Sequence, residues 1–243
     1  MARLTAPDGS AHLLRGGVAQ ACAEAGAAQG WMSADESARL ASFSRPLRKA
    51  QFMAGRWLVR CLLGRLLAGG ADAWRLDAPA EGPPRLLGPP GDRPLHASLS
   101  HSADEVVCAI GAMPVGIDVE TQGPARNWPA LVAAIGDSAE LAHFHRQPES
   151  GHAAECLALW TLKEAWIKSR GDSMTPGRMA QLHAQRVTAV EPVNAWLWRG
   201  DGVTLALQAP GATGCVWHGG QGELLFAGHW RVSDTAVAGV SGG

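Results

Sequence analysis

Apolar and polar residues alternate in the segment Val115-Gly116-Ile117-Asp118-Val119-Glu120, and its apolar side chains are β-branched. This alternation predicts a β-strand, in which residues two apart point to the same face. Ile117 and Val119 would then point into a core, while Asp118 and Glu120 project together from the opposite face. Two such carboxylates repel each other unless a cation lies between them.

A second stretch, residues 160–168 with the sequence WTLKEAWIK, lies within a predicted helix that spans residues 153–170 and ends before Gly171. Its predicted core stripe consists of Leu159, Leu162 and Trp166. Residues four apart share a helical face. Trp160, Glu164 and Lys168 should therefore line one side of this helix, so that a carboxylate and an ammonium group project together.

Two helices are predicted nearer the N-terminus. Ser33 and Glu36 fit a capping box that opens a helix ending near residue 43. Ser44, followed by Pro46, fits the N-cap of a longer helix that ends near residue 67. From residue 45 to residue 65 this helix has no acidic residue, and its basic residues are Arg45, Arg48, Lys49, Arg56, Arg60 and Arg65. Such a helix presents either a solvated face or an anion site.

Strand-like segments fall into two groups. Residues 95–99, residues 105–110 and the segment with Asp118 are joined by short turns, which predicts an antiparallel meander. A second antiparallel sheet is predicted from residues 187–190, 195–198, 203–207, 215–218 and 224–230. The linker at residues 122–127 divides the chain into a predicted N-terminal subdomain, residues 1–121, and a C-terminal subdomain, residues 122–243. We therefore predict an α+β fold in which each antiparallel sheet packs against a long helix.

Composition and charge exclude several classes of function. The chain of 243 residues has a formal net charge of −1, so its overall charge indicates neither nucleic-acid nor membrane binding. Its five cysteines include no CxxC pair and no zinc-site spacing, which favours a reducing compartment. The N-terminus lacks the pattern of a signal peptide, and no apolar run reaches the ~20 residues of a membrane span. We expect a soluble, cytoplasmic protein.

The charged candidates gain meaning only in combination. Taken alone, Glu164 and Lys168 fit a helix-surface ion pair, Glu140 fits a capping box, and His101 fits a solvated turn. Taken together, three carboxylates, a lysine, a turn histidine and an arginine-bearing helix predict a site for Mg²⁺ and a polyphosphate, because Mg²⁺ prefers carboxylate, water and phosphate oxygens. Phosphoryl-type transfer is the matching chemistry.

Two other functions fit part of this pattern. A Mg²⁺-dependent nuclease with a D…ExK motif would place a carboxylate and a lysine two apart on a strand, whereas Glu164 and Lys168 are four apart on a helix. A binding or regulatory module that has lost its chemistry is disfavoured, because the three carboxylates and the lysine are all present.

The two stretches also resemble a known family. Residues 116–120 followed by residues 160–168 are similar to the two-part signature of the 4′-phosphopantetheinyl transferases, G-[IV]-D-x-E and then [FW]-[SCT]-x-K-E-[AS]-x-x-K, and match its fixed positions. Leu99-Ser100-His101-Ser102 resembles the SHS element of the family, and Ala54-Gly55-Arg56 with Arg60 resembles its arginine helix. The length resembles the surfactin-type branch, which implies two similar α/β halves related by pseudo-two-fold symmetry and a monomer.

The resemblance implies a reaction and its participants. The 4′-phosphopantetheine group of coenzyme A would be transferred to a serine of an apo acyl or peptidyl carrier protein, with Mg²⁺ required and adenosine 3′,5′-bisphosphate released. A catalytically inactive or regulatory homologue that binds coenzyme A or the carrier is the alternative. Which carrier is modified stays open, because fatty-acid, polyketide and nonribosomal-peptide carriers all offer such a serine.

The resemblance also implies roles for individual residues. The implied metal ligands are Asp118, Glu120 and Glu164, and the implied contacts to coenzyme A are Lys168, Ser100, His101, Arg56 and Arg48. The base that activates the carrier serine stays open among Glu164, Glu140 and a water held by the metal. Lys168 would also offset charge that develops on the phosphate.

Two positions depart from the family pattern. Pro83 stands where the family often has the lysine of a Gly-Lys-Pro element, which puts the contacts to adenine in question. Ser173 stands where the family often has the second glycine of a Gly-x-Gly element, next to the pantetheine arm.

Overall fold

Two β-sheets and the helices that cover them form the described part of this computed structural model, which comprises residues 9–28, 30–67, 74–77, 84–89, 94–124, 126–200 and 202–235. The strands are β1 (Ser10–Gly17), β2 (Arg75–Leu76), β3 (Leu86–Leu87), β4 (His96–Ser102), β5 (Glu105–Gly111), β6 (Gly116–Thr121), β7 (Leu182–Val187), β8 (Ala195–Gly200), β9 (Val203–Gln208), β10 (Gly214–Trp217) and β11 (Leu225–Asp234). The helices are α1 (Val18–Ala27), α2 (Ala34–Ser42), α3 (Pro46–Leu66), α4 (Trp128–Ile135), α5 (Ser138–His145), α6 (Glu149–Arg170) and α7 (Pro176–Ala180).

The first sheet has the strand order β10-β1-β5-β4 and the second has the order β6-β9-β8-β11-β7, while β2 and β3 form a separate short pair. Neighbouring strands in both sheets are antiparallel except for β1 and β10, which pair in parallel with Ser10 opposite Gly214. Strands β4 and β6 are thus edge strands of different sheets.

Three apolar clusters hold these elements in layers. Helix α3 packs on one face of the first sheet, and the contacting side chains include Ala54, Leu58, Leu62, Val106, Cys108 and Ile110. Helix α6 packs on one face of the second sheet through residues that include Leu159, Leu162, Trp166, Leu197 and Ala206. The third cluster lies between the two sheets and includes Leu13, Val107, Ala109, Ile117, Val119, Leu205 and Leu207. The order of layers is therefore helix, sheet, sheet, helix.

This arrangement agrees with the predicted α+β class, in which a long helix covers each sheet. The pseudo-two-fold relation between the halves stays a prediction, and so does the division at residues 121 and 122. Strands β6 and β10 each pair with strands from the other side of that division. Within the described ranges, no helix is long and apolar enough to cross a membrane.

The predicted meander is wrong in its third strand. β4 and β5 do pair, but β6 forms its ladder with β9 of the second sheet. The alternation in residues 115–120 specifies a strand with one buried face, and that face is buried between the two sheets, through Ile117 and Val119. The alternation of apolar and polar residues does not identify which strand is the hydrogen-bonded partner. The sheet predicted for residues 215–218 is also wrong, because β10 joins the first sheet and pairs in parallel with β1.

Helix boundaries were predicted more accurately than strand partners. The capping box of Ser33 and Glu36 is confirmed at the start of α2. Ser44 is not the N-cap of α3, because the helix begins at Pro46 and Arg45 occupies the cap position. Helix α6 begins at Glu149, four residues earlier than predicted. The strand predicted at residues 187–190 is displaced, since β7 ends at Val187 and a turn follows.

Candidate active site

A cavity of about 790 Å³ lies between α3, β4, β6 and the C-terminal part of α6. Its volume is in the range of a small-molecule or cofactor site. It is lined by eight of the nine residues predicted from the sequence, namely Arg48, Arg56, Ser100, His101, Asp118, Glu120, Glu164 and Lys168. The exception is Glu140. The fold therefore brings the two motif stretches, the SHS element and the arginine helix to one place. The SHS element lies on strand β4 and not in the predicted turn.

Gly116 determines how closely α6 approaches β6. A Cβ atom at this position would lie 1.8 Å from the carbonyl oxygen of Ala165 and 2.6 Å from the backbone nitrogen of Ser169. Only glycine lets the main chain of the helix lie directly on the main chain of the strand. Because the contact falls beside Glu164 and Lys168, it places their side chains opposite the carboxylates of β6.

Asp118 is the central acceptor of the site. Its Oδ1 accepts hydrogen bonds from Lys168 Nζ at 2.5 Å and from the Ser100 hydroxyl at 2.7 Å. Lys168 Nζ also donates to Ser100 Oγ at 3.0 Å and lies 3.6 Å from Glu164 Oε2. Asp118 Oδ2 is buried and has no N–H or hydroxyl donor among the described residues. The Glu164 carboxyl is within hydrogen-bond reach of Asp118 and can donate to it when protonated. When Glu164 is ionised, the buried oxygen has no donor, which is costly, and a divalent cation would satisfy it.

The charge states of the carboxyl groups reflect their crowding. Burial, followed by the neighbouring Asp118 carboxylate, raises the pKa of Glu164 to about 8. Burial and Asp118 also raise the pKa of Glu120, although hydrogen bonding from Ser102 partly offsets this. Burial opposes the charge on Lys168, but Asp118 and Glu164 outweigh it and raise the pKa of its ammonium. The Lys168 ammonium alone therefore does not supply enough positive charge for all of these carboxyl groups to ionise freely at neutral pH.

The donor set fits Mg²⁺ in chemistry, but the carboxylates are spread out. Ligand oxygens of one octahedral Mg²⁺ lie at most about 4.2 Å apart, twice the bond length of ~2.1 Å. Among the described residues, the three-residue cluster with ligand atoms within 4.8 Å of one another is Asp137, Glu140 and His183. The trio predicted from the sequence is spaced more widely than that. Binding of one ion by all three side chains would require at least one of them to rotate inward.

Arg39, Arg48 and Arg56 add guanidinium groups to the lining of the same cavity. Arg48 contacts the His101 ring, and its guanidinium lies 5.1 Å from the centre of the Phe43 ring. Arg39, which was not predicted from the sequence, also lines the cavity and lies 5.0 Å from the same ring. Burial, followed by the charges of Arg48 and Lys168, lowers the pKa of His101 to about 4, so its ring is neutral at pH 7.

Arg56 is the third arginine in the lining of the cavity. Its side chain is buried, donates to the carbonyl oxygen of Asp77 at 2.6 Å, and lies 5.0 Å from the centre of the Phe52 ring. Burial lowers the pKa of its guanidinium to about 10, which still leaves it charged at pH 7. Arg60 points elsewhere and forms a two-pronged ion pair with Glu36 at 2.6 and 2.9 Å. Arg60 thus joins α3 to α2, while Arg56 faces the cavity.

Glu140 has a different environment from the other candidates. Its carboxylate accepts hydrogen bonds from Lys163 Nζ at 2.5 Å, from the backbone of Asp137 at 2.9 Å and from the backbone of Ala184 at 2.7 Å. Lys163 is fully buried and also donates to the Ile135 carbonyl oxygen. This geometry favours a structural role for Glu140, joining α5, α6 and β7, and does not support a catalytic one.

The remaining sequence expectations have simple outcomes. Pro83 lies outside the described residues, and Ser173 lines the cavity beside Met174. Arg39 and Phe43 were missed because they lie on and just after α2, and only tertiary packing brings them to α3. Their spacing of four on a helix ending in the cavity wall was the signal available in the sequence.

Comparison with known proteins places the chain in a family. Residues 114–199, which include β6 and α6, match the 4′-phosphopantetheinyl transferase superfamily. The matched segment comprises 86 of the 243 residues. The predicted family, including its single-chain surfactin-type branch, is confirmed.

Curated relatives carry the same name. The chain is 29% identical over 144 residues to 4′-phosphopantetheinyl transferase HetI of Nostoc sp. strain PCC 7120, covering 59% of this chain and 61% of the relative. It is 29% identical over 143 residues to 4′-phosphopantetheinyl transferase AcpT of Salmonella typhi, covering 56% and 66%. It is 30% identical over 125 residues to 4′-phosphopantetheinyl transferase psf-1 of Bacillus pumilus, covering 51% and 52%. The chain thus spans between about half and two thirds of the length of these relatives.

Proposed function

We propose that this protein is an enzyme that transfers the 4′-phosphopantetheine group of coenzyme A to a serine hydroxyl of an apo acyl or peptidyl carrier protein. The observation that carries the proposal is the convergence of Asp118, Glu164 and Lys168 in a cavity that Arg48 and Arg56 also line. Family membership and the names of the relatives support it.

The arginines and the carboxylates that line the cavity suit the two charged parts of coenzyme A. Arg48 and Arg56, joined by Arg39, would bind the 3′-phosphate, since guanidinium groups bind phosphate through two parallel hydrogen bonds. Asp118, Glu120 and Glu164 would hold Mg²⁺ against the pyrophosphate. When bound, the ion would neutralise charge on the pyrophosphate oxygens.

The reaction breaks one phosphorus–oxygen bond and forms another. The serine oxygen of the carrier attacks the phosphorus that bears pantetheine, and the bond from that phosphorus to the bridging oxygen breaks, which releases adenosine 3′,5′-bisphosphate. Lys168, positioned by Asp118, would stabilise the charge that develops on the phosphate oxygens.

A base must accept the serine proton. Glu140 is poorly suited, because Lys163 and two backbone N–H groups already occupy its carboxylate. Glu164 or a water molecule in the cavity is better placed, since Glu164 lines the cavity beside Asp118. Cytoplasmic location and a monomeric state stay predictions from the sequence.

The test is intact-protein mass spectrometry on a panel of apo fatty-acid, polyketide and nonribosomal-peptide carriers incubated with the protein, coenzyme A and Mg²⁺. We expect at least one carrier to gain the mass of one phosphopantetheine group. Asp118→Asn, which keeps the shape of the side chain but removes its charge, should abolish the gain. A carrier that binds without gaining mass would instead favour the inactive homologue, and no gain across the panel would overturn the proposal.

A further inference from the structure

The junction between the two sheets contains a row of serines, Ser98, Ser100 and Ser102, on strand β4. Because they are two apart, the three side chains share one face of the strand. Leu99, between them, faces the opposite way and packs with the apolar residues under α3. At the inner face of a sheet, a row of hydroxyl groups replaces the apolar side chains expected there.

The serine row faces the free edge of β6. Strand β6 forms its backbone ladder with β9 on one edge, so its other edge has N–H groups that need acceptors. The backbone N–H of Ile117 donates to Ser98 Oγ at 3.0 Å, and that of Thr121 donates to Ser102 Oγ at 3.1 Å. Side-chain hydroxyls therefore do at this edge what a neighbouring strand would do in a continuous sheet.

Ser102 makes a contact that Ser98 does not. Its hydroxyl donates to Glu120 Oε2 at 2.9 Å, and the Thr121 hydroxyl lies 3.1 Å from Ser102 Oγ. A hydroxyl has one proton to give and two lone pairs. With its proton on Glu120, Ser102 can accept from both the N–H and the hydroxyl of Thr121, so its bonding capacity is filled and its orientation is fixed.

We propose that Ser102 is a positioning residue that orients the carboxylate of Glu120 for the divalent cation. The inference rests on the Mg²⁺ site of the proposed function. Glu120 lines the cavity, and its Oε2 accepts the proton of the Ser102 hydroxyl. A carboxylate held through one oxygen by Ser102 keeps its other oxygen for the ion, as partners of metal ligands commonly arrange.

The chain offers a matched control for this proposal in Ser98. Both serines accept a backbone N–H from the edge of β6, and removing either hydroxyl leaves that N–H without its acceptor. Only Ser102 also contacts a carboxylate. A purely structural role would make the two alanine variants behave alike, whereas a positioning role separates them.

The experiment measures the binding of Mn²⁺, as a paramagnetic substitute for Mg²⁺, to the full chain by electron paramagnetic resonance, together with thermal unfolding. Ser102→Ala should weaken Mn²⁺ binding by about 10-fold or more, the usual effect of removing a partner of a metal ligand. Ser98→Ala should lower the unfolding temperature but leave Mn²⁺ affinity within about threefold. Ser102→Thr keeps the hydroxyl and should restore affinity.

The outcomes separate this proposal from the proposed function. If Ser102→Ala and Ser98→Ala lose the same affinity, or if Ser102→Ala binds Mn²⁺ like the wild type, Ser102 has only a structural role. If the wild-type protein binds no Mn²⁺, the positioning role is overturned with the site itself. If it binds Mn²⁺ in a Ser102-dependent manner but modifies no carrier, the transferase reaction is wrong and the role of Ser102 stands.

Discussion

Burial and the neighbouring carboxylate of Asp118 together raise the pKa of Glu164 to about 8, across the contact between β6 and α6. One of the two carboxyl groups therefore holds a proton at neutral pH unless another positive charge takes its place. The Lys168 ammonium neutralises only part of this charge, because it lies 2.5 Å from Asp118 but 3.6 Å from Glu164. Protons and divalent cations should compete for this pair.

The first prediction concerns stability and pH. The pKa of Glu164 is about 8 in the folded state against an ordinary value of 4.5, so the folded state binds the proton more tightly. Stability should be greatest below pH 4.5 as far as Glu164 is concerned, and should be lost as pH rises from about 4.5 to about 8. Urea unfolding at several pH values in EDTA should show this decline, and Glu164→Gln should flatten it.

Added Mg²⁺ provides a second measurement of the same effect. An ion bound to the ionised carboxylates should stabilise the wild type more at pH 8 than at pH 6, because at pH 6 the ion must displace the proton. A wild type whose stability falls no more steeply than that of Glu164→Gln over this interval would contradict the raised pKa.

The second prediction tests whether the arginine side chains of the cavity bind the 3′-phosphate of coenzyme A. Arg48→Ala should raise the KM for coenzyme A by about 10-fold or more, since a hydrogen bond to a charged group contributes about 1.5–3 kcal/mol. With dephospho-coenzyme A, which lacks the 3′-phosphate, the same substitution should change KM little. Steady-state kinetics with both substrates forms a double-mutant cycle.

Arg45 is the control, because it is exposed and lies at the start of the same helix. Arg45→Ala should leave the KM of both substrates unchanged. Equal losses with coenzyme A and dephospho-coenzyme A in Arg48→Ala would remove Arg48 from the phosphate site.

The third prediction separates Glu140 from the chemistry. Glu140→Gln leaves Lys163 buried beside a neutral group and should cost about 3–5 kcal/mol of the free energy of unfolding. The kcat of the folded protein, measured at low temperature, should stay within about threefold of wild type. Replacing both partners, as in Glu140→Leu with Lys163→Met, should recover much of the stability, because no buried charge is left unpaired.

A loss of kcat in Glu140→Gln of 100-fold or more, with stability preserved, would restore Glu140 as a catalytic base. In the double variant, stability is expected to recover, so its kcat shows whether any loss of activity comes from unfolding. Chemical denaturation and initial-rate measurements on the same preparations are sufficient to separate the two outcomes.

Local patterns in the sequence predicted the elements better than their partners. The alternation around Asp118 indicates a strand with one buried face, and that is what forms. Nothing in that alternation distinguishes β5 from β9 as the neighbour, because both present apolar residues to the same core. The parallel pairing of β1 with β10 joins segments about 200 residues apart, for which a local pattern carries no signal.

The residues of the candidate site likewise divide into those that a local pattern reveals and those that depend on tertiary packing. Asp118, Glu164 and Lys168 are found by their spacing on single elements, and the structure brings all three together. Arg39 depends on how α2 packs against α3 and was missed for that reason. Glu140 was recognised correctly as the end of a capping box, but its ion pair with Lys163 depends on burial that neither residue reveals alone.

The direct contact of Gly116 with Ala165 has a consequence for how this protein can diversify. Strand β6 and helix α6 are in direct main-chain contact at Gly116, so no side chain sets the distance between them. Substitutions elsewhere can reshape the rim, where Ser173 and Met174 lie, without altering the spacing of the reacting groups. Under the proposed function, preference among carriers could therefore drift while the chemical step keeps the same dimensions.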